Sequence, residues 1–158
     1  MDKDNDEQFF LDAMKALNKH SSTSEEAYNP IQFSDFIFDE NTEHWIDAFD
    51  DVHYPAHLTA NAIKKLKKKP TNHYLDLHQM SRQQATEALM NYIPHHHRRQ
   101  HSIIRIICGK GLHTPNQRPI LKNLCYQFLI QNPMVVAFCT ADVRFGGLGC
   151  YQVALRYD

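Results

Sequence analysis

The 158-residue sequence has little of several features that would each indicate a special class of protein. Five glycines and seven prolines are too few for a fibrous or low-complexity chain. No run of about 18 apolar residues occurs, which argues against a membrane-spanning helix. The first seven residues are acidic and lack the basic-then-apolar order of a secretory leader. These absences predict a soluble globular domain with an appendage, located in the cytoplasm.

Closely spaced cysteines are also missing. The chain has four cysteines, none in a Cys-x-x-Cys pair, and each lies in or beside an apolar stretch. A zinc site built from cysteine needs paired ligands at short spacing. We therefore expect reduced core thiols, no metal site and no resident cofactor. The four are Cys108, Cys125, Cys139 and Cys150.

The near-zero net charge of −1 conceals two opposite halves. Residues 1–60 hold 14 acidic and 3 basic side chains, for a net charge of −11. Residues 61–158 hold 4 acidic and 14 basic side chains, for a net charge of +10. A basic domain of this kind favours polyanionic partners, nucleic acid first among them.

The pattern along the chain predicts three regions. Residues 1–57 form an acidic extension, in which 8–18 have the spacing of an amphipathic helix and 19–26 form a linker. That helix is a candidate for docking to a protein or a ribosome. The aromatic residues that follow it either pack on the basic domain or await a partner. Residues 58–71 form a basic connecting helix, and 72–158 form the main domain.

The connecting helix carries five lysines within six residues and is followed by Pro70. They form either a solvated face or a stripe that contacts phosphates. The five are Lys64, Lys65, Lys67, Lys68 and Lys69.

The main domain alternates strand and helix patterns. Ser81 and Gln84 form a capping box that opens a helix, which Pro94 should end or kink. The β-branched run 103–107 predicts a central strand. The order strand, helix, strand, helix, strand, strand predicts a two-layer α/β domain with one mixed sheet and its helices on one face.

Chemically useful side chains follow the first two strands. Asp76 and His78 are two residues apart, so their side chains project from the same side of the first strand. Gly109, Lys110 and Gly111 follow the second strand, where glycine amides and a lysine charge can approach a phosphate. The alternative is that Asp76 only caps a turn and that His78 is an ordinary surface residue.

Three segments together resemble the Smr (small MutS-related) domain over about residues 72–156. They are Leu75-Asp76-Leu77-His78, Ile106-Ile107-Cys108-Gly109-Lys110-Gly111 and Phe145-Gly146-Gly147-Leu148-Gly149. The resemblance implies an endonuclease that acts on DNA or RNA, including messenger RNA at ribosomes. Residues 9–14 also resemble the start of the N-terminal extension of stand-alone bacterial members. Gln79 replaces the family's usual glycine, and Cys108 replaces its usual histidine or threonine. His113 is a candidate polar group just past the loop.

For an RNA substrate the ribose 2′-hydroxyl is a built-in nucleophile, so acid–base chemistry suffices. Histidine ordinarily changes charge near neutral pH, which makes His78 the expected proton-transfer group. Asp76 would orient it, and the Gly109–Gly111 amides with Lys110 would stabilise charge on the phosphate. DNA lacks that hydroxyl and would require water activated by a divalent metal. We therefore expect RNA as substrate, with DNA as the alternative.

Further basic and glycine positions complete the predicted nucleic-acid surface. His95, His96 and His97 belong to a solvated basic helix end, because three adjacent histidines cannot all face one ion from a helix. The alternative to a nuclease is a non-catalytic module that binds nucleic acid or the ribosome. The acidic extension could also restrain binding by covering the basic face. The further positions are Arg98, Arg99, Arg105, Arg144, Gly146 and Gly147.

Overall fold

The computed structural model describes residues 12–15, 35–111 and 118–156. Residues 12–15 are helical. The elements that follow are β1 (His53–Tyr54), α1 (Ala60–Lys68), β2 (Tyr74–Asp76), α2 (Arg82–Arg98), β3 (Ile103–Ile107), α3 (Ile120–Gln131), β4 (Val135–Thr140) and β5 (Cys150–Leu155). Two short 3-10 turns, Val143–Phe145 and Gly147–Gly149, connect β4 to β5.

The five strands form one mixed sheet in the order β1-β4-β5-β3-β2. Only β2 and β3 are parallel, and the other neighbours are antiparallel. The predicted order of elements from β2 to β5 is confirmed. The additional strand, β1, comes from the acidic extension and pairs with β4. Its two residues are too few to show an alternating pattern in the sequence.

Helices cover both faces of this sheet. The helices predicted within the main domain, α2 and α3, pack on one face through Leu89, Ile93 and Phe128. Helix α1 packs its Ala62 and Leu66 on the opposite face, where Met14 is also buried. The expectation that the helices of the main domain share one face is confirmed by α2 and α3, while α1, which precedes that domain, covers the other face. The apolar side of α1 buries surface on β4 and β5 and does more than connect.

Helix α2 begins as predicted and ends later than predicted. The Ser81 hydroxyl accepts from the Gln84 amide, and the Gln84 side chain accepts from the Ser81 amide, which completes the capping box. Of the two alternatives predicted for Pro94, an end of the helix is wrong, since the helix continues to Arg98. The buried His96 beyond the proline is bonded to His101, and this contact holds the last turn in place.

The acidic extension runs along α3, held by three amide side chains spaced four residues apart. Each of them both donates to a backbone carbonyl and accepts from the amide of the same residue, as a neighbouring strand would. We call Asn123, Gln127 and Gln131 the amide ladder. Their backbone partners are Ile46, Asp39 and Ile37 respectively, at 2.8–3.4 Å.

A buried lysine anchors the next part of the extension. Lys122 is fully buried, and its ammonium donates to the carbonyls of Asp47, Ala48 and Asp50 at 3.0, 3.2 and 2.7 Å. Burial lowers the pKa of Lys122, while Cys108 and nearby aspartates act in the other direction. A buried ammonium is tolerated when its protons find acceptors, as all three do here.

No helix within the described residues is both long and apolar enough to cross a membrane.

Replacing Lys122 tests whether this anchor stabilises the fold. Lys122→Met keeps the apolar stem but leaves three carbonyls without their donor, so we expect the free energy of unfolding to fall by about 2–4 kcal/mol. Urea unfolding followed by circular dichroism measures the change. Lys64→Met, at an exposed position on α1, should alter it by less than about 0.5 kcal/mol. Equal effects of the two substitutions would show that the Lys122 contacts contribute nothing.

Candidate active site

The parallel pairing of β2 with β3 brings the two predicted chemical segments together. Asp76 is in register with Ile107, and the Leu77 amide donates to the Ile107 carbonyl at 2.7 Å. The chain after β2 therefore leaves the sheet beside the loop that follows β3. A Cβ placed on Gly109 would lie 3.8 Å from the Cβ of His78.

Asp76 orients His78 through two contacts. The Oδ1 atom of Asp76 accepts from the His78 backbone amide at 3.0 Å and lies 2.5 Å from Nδ1 of the imidazole. With the carboxylate against Nδ1, the tautomer that donates there leaves Nε2 as the basic nitrogen. The His78 side chain is 56% exposed, so a ligand can reach its ring.

Gln79 follows in a left-handed backbone conformation with φ +66°. This conformation explains why a glycine suits the position, because a side chain there costs about 1–2 kcal/mol of strain. The turn is made despite the glutamine, and the Met80 amide donates to the Leu77 carbonyl at 3.0 Å. The departure of this chain from the family pattern thus leaves the direction of the turn intact.

The loop after β3 is fixed by the turn that precedes β5. The amides of Cys108 and Gly109 both donate to the Gly149 carbonyl, at 2.9 and 3.0 Å, and Cys108 Sγ contacts the same oxygen at 3.2 Å. The predicted use of the Gly109 amide for phosphate is therefore wrong, because that donor is already engaged. Gly111 has φ +74°, and a Cβ there would lie 2.5 Å from Cα of Pro119.

A cavity of about 510 Å³ lies between these two segments and the start of α3. Lys110 is exposed at its edge and forms no ion pair with the described residues. Lys122 and Arg82 also line the cavity, so three cations surround the space next to His78. Sequence reasoning missed both. Two sequence signals could have identified them: Arg82 is a basic residue in the first turn of α2, and Lys122 is a lysine within an otherwise apolar stretch of α3.

The structure places Arg105 and Arg144 outside this cavity. Nε of Arg105 donates to Gln152 at 2.8 Å, on the face of the sheet that α1 covers, and the guanidinium lies 4.2 Å from the centre of the Phe145 ring. Strand alternation points Arg105 away from the cavity, so this predicted nucleic-acid residue does not lie beside His78. Arg144 pairs with Asp142 at 3.0 Å.

The remaining predicted residues are spread over the surface. Lys67 is paired with Asp51 at 2.8 Å, whereas Lys64 and Lys68 are exposed. His95, Arg98 and Arg99 are exposed at the end of α2, but the prediction of a solvated His96 is wrong because this residue is only 8% exposed. Gly146 and Gly147 shape the turn before β5, with φ +107° and +60°. His113 and most of the predicted 8–18 helix lie outside the described residues.

The acidic extension reaches the rim of the cavity. Glu40 forms an ion pair with Arg82, and the Glu40 carbonyl accepts from Arg118 at 3.2 Å. The Arg118 guanidinium also lies 4.6 Å from the centre of the Trp45 ring. At least this part of the extension packs on the basic domain. Of the two alternatives for the aromatic residues, packing on the domain therefore holds for Trp45.

Comparison with known proteins agrees with this arrangement. A family model described as the Smr domain matches residues 75–156. The ribosome rescue factor SmrB of Aeromonas hydrophila is 28% identical over 171 aligned positions, a match that covers 98% of this chain and 95% of that protein.

A solved structure shows the same fold. The crystal structure of YdaL, a stand-alone small MutS-related protein from Escherichia coli, has a TM-score of 0.63 and 21% identity, covering 78% of this chain and 96% of that one. The Smr domain of Thermus thermophilus MutS2 has a TM-score of 0.47 and 24% identity, covering 53% of this chain and 98% of that one. The likeness to YdaL confirms the α/β fold with a mixed sheet.

Glycine at position 79 should relieve the strain in the turn after His78. We expect Gln79→Gly to raise the free energy of unfolding by about 1 kcal/mol, because glycine adopts a positive φ without a steric penalty. Thermal and urea unfolding measure the change. Gln83→Gly, the same substitution within α2, should lower stability by about 1 kcal/mol. A decrease at both positions would refute the strain at Gln79.

Proposed function

The chain belongs to the Smr domain family, and on that premise we propose that it is an endonuclease that cleaves single-stranded RNA by acid–base chemistry at His78. The observation that carries the proposal is the 2.5 Å contact between Asp76 Oδ1 and His78 Nδ1, beside a cavity edged by Lys110. This contact directs the opposite nitrogen of the ring toward a substrate. Nucleic acid would enter as a polyanion attracted by the surrounding cations.

The reaction uses the ribose hydroxyl as nucleophile. His78 Nε2 takes the proton of the 2′-hydroxyl as its oxygen attacks phosphorus, and the bond from phosphorus to O5′ breaks. The leaving oxygen takes a proton from solvent or from Lys110. The products are a 2′,3′-cyclic phosphate and a 5′-hydroxyl end, so every atom of the RNA is retained.

Each neighbouring group has a defined part in this reaction. Asp76 holds the imidazole and stabilises the imidazolium that forms during the reaction. Lys110 neutralises charge that develops on the non-bridging phosphate oxygens. Lys122 contributes a fixed positive field from the cavity wall, but its protons are already donated to three carbonyls. Cys108 is buried and donates to Gly149, so it does not replace a polar group at the phosphate.

We further propose that the RNA is messenger RNA on ribosomes, in the cytoplasm. The similarity to the protein named ribosome rescue factor SmrB supports this step, because it extends over nearly the whole of both chains. The burial of Met14 shows that at least part of the predicted N-terminal docking helix contacts the sheet. Docking to the ribosome through other residues of the extension stays a proposal.

Removing the imidazole of residue 78 tests the chemistry. We expect His78→Ala to slow cleavage of labelled single-stranded RNA by about 10²–10⁴-fold, with binding retained, because the proton acceptor is removed. His57→Ala removes an exposed histidine and should cleave like the wild type. The assay is run with and without EDTA and uses purified full-length protein.

The substrate provides a second control. RNA with a single 2′-deoxyribose at the cleavage position should resist cutting there. Cleavage of that substrate, or of supercoiled DNA in the presence of Mg²⁺, would show that water and a metal ion replace the 2′-hydroxyl. Unimpaired cleavage by His78→Ala would overturn the role of the histidine. Binding without any cleavage by the wild type would favour the non-catalytic module.

The exposed lysines of α1 should make a separable contribution to binding. We expect the Lys64→Ala, Lys68→Ala double variant to lower the salt dependence of single-strand binding by about 1.4 in the log–log slope, at roughly 0.7 for each phosphate that is no longer neutralised. Filter binding at several salt concentrations measures the slope. Lys15→Ala removes a lysine from the acidic extension and should leave the slope unchanged. An unchanged slope in the double variant means that these lysines are only a solvated face.

A further inference from the structure

Three histidines from three separate segments meet at the edge of the sheet opposite to the candidate active site. His73 precedes β2, His96 lies in the last turn of α2, and His101 precedes β3. One ring nitrogen of each lies within 4.8 Å of the others. Three adjacent histidines of α2 cannot all face one ion, but the fold selects one of them, His96, and adds two from elsewhere.

The end of α2 brings His101 onto His96. The Gln100 amide donates to the His97 carbonyl, and the His101 amide donates to the His96 carbonyl, at 3.0 and 3.1 Å. This pair of bonds is a Schellman motif, with Gln100 in the left-handed conformation at φ +57°. In most such motifs the two positions that His96 and His101 occupy here hold apolar residues that contact each other. Their Nδ1 atoms instead lie 2.7 Å apart.

His73 is fixed independently of the helix. Its amide donates to the Thr71 hydroxyl at 3.1 Å, and its carbonyl accepts from the Arg105 amide at 2.9 Å. The centre of its ring lies 3.8 Å from that of His101 and 5.0 Å from that of His96. Two strand starts and one helix end therefore bring the three imidazoles together. The rings of His73 and His101 are stacked with 10° between their planes, so one of them must turn before both can direct a nitrogen at the same ion.

His96 is the most buried of the three imidazoles, and its surroundings disfavour a charge on its ring. Burial lowers the pKa of His96 to about 4, and electrostatic repulsion by His101, His73, His95 and Arg99 acts in the same direction. The ring of Tyr92 lies 4.1 Å from that of His96. Neutral imidazole is the form that coordinates metal ions.

We propose that His73, His96 and His101 form a binding site for a divalent transition metal ion, with Zn²⁺ as the expected occupant. Three imidazoles suit Zn²⁺, which binds histidine nitrogen at about 2.0–2.1 Å and accepts a fourth ligand in a tetrahedral site. His73 and His101 also line an open depression, from which water can supply that fourth ligand. Nitrogen-only ligands disfavour Mg²⁺ and Ca²⁺, which prefer oxygen.

Binding also requires the hydrogen bond between His96 and His101 to open. The 2.7 Å contact between His96 and His101 is a hydrogen bond in which one Nδ1 carries the proton. Coordination through both Nδ1 atoms moves that proton to Nε2 of the same ring and separates the two nitrogens to roughly 3.3 Å, the spacing set by tetrahedral Zn–N bonds.

The ion would join α2 to the starts of β2 and β3. Asp76 and His78 lie at the other end of β2, so the metal does not touch the proposed reaction centre. Its expected effect is on the folded state, because an ion that binds only the native protein stabilises it by mass action.

Equilibrium dialysis of untagged full-length protein against Zn²⁺, followed by elemental analysis, tests the site. We expect one Zn²⁺ per chain in the wild type. Loss of a residue that only hydrogen-bonds to a metal ligand weakens metal binding by roughly 10–100-fold. His73→Asn and His101→Asn each remove a ligand itself, so each should weaken Zn²⁺ binding by more than that. Co²⁺ in place of Zn²⁺ should give the intense visible absorption of a four-coordinate ion, and these variants should lose it.

The matched control addresses the neighbouring histidines of the same helix. His95→Asn combined with His97→Asn removes the residues on either side of His96 and should leave one Zn²⁺ per chain and the Co²⁺ spectrum intact. Loss of binding in that control, together with retention in His73→Asn and His101→Asn, would show adventitious binding to the histidine run and overturn the proposal. So would absence of Zn²⁺ from the wild type. The readout involves no nucleic acid, so neither outcome bears on the nuclease.

Discussion

The short parallel pairing of β2 with β3 is the constraint on which both functional regions depend. Because the two strands run in the same direction, their ends coincide at each edge of the sheet. At the carboxyl ends the pairing places His78 beside the loop of Gly109 and Lys110. At the amino ends it places His73 beside His101. Three residues of β2 thus separate a single exposed histidine, bound to a carboxylate, from a partly buried cluster of three histidines among cations.

Much of this arrangement follows from local sequence signals. The capping box of Ser81 and Gln84 and the β-branched run of β3 determine structure within a few residues, and both formed as expected. The side-by-side placement of Asp76 and His78 also follows, because it requires only the strand period and one tight turn. The adjacency of that pair to Gly109 needs the further knowledge that β2 and β3 are parallel neighbours, which the strand–helix–strand order supplies.

Features that depend on long-range partners could not be predicted. The strand β1 is too short to show a period, and Arg105 looks like a phosphate ligand until the sheet assigns it to the other face. Continuation of α2 past Pro94 is accompanied by a contact between His96 and His101 that no local rule contains. The amide ladder did leave a trace, since its three members recur every four residues on one side of α3. Polar residues at helical spacing in an apolar helix predict a docked polar backbone.

The amide ladder has a consequence for how the extension can change over time. It contacts the main chain of Ile37 and Asp39, whose side chains are exposed, so it imposes no identity on either position. Substitutions there can accumulate without releasing the segment, provided that proline does not remove the amide hydrogen. A change on α3 has no such freedom, because each amide serves as donor and acceptor at once. Recognition by these amides is therefore asymmetric at the two positions: the ladder residues on α3 are constrained, whereas the ladder requires no particular side chain at Ile37 or Asp39.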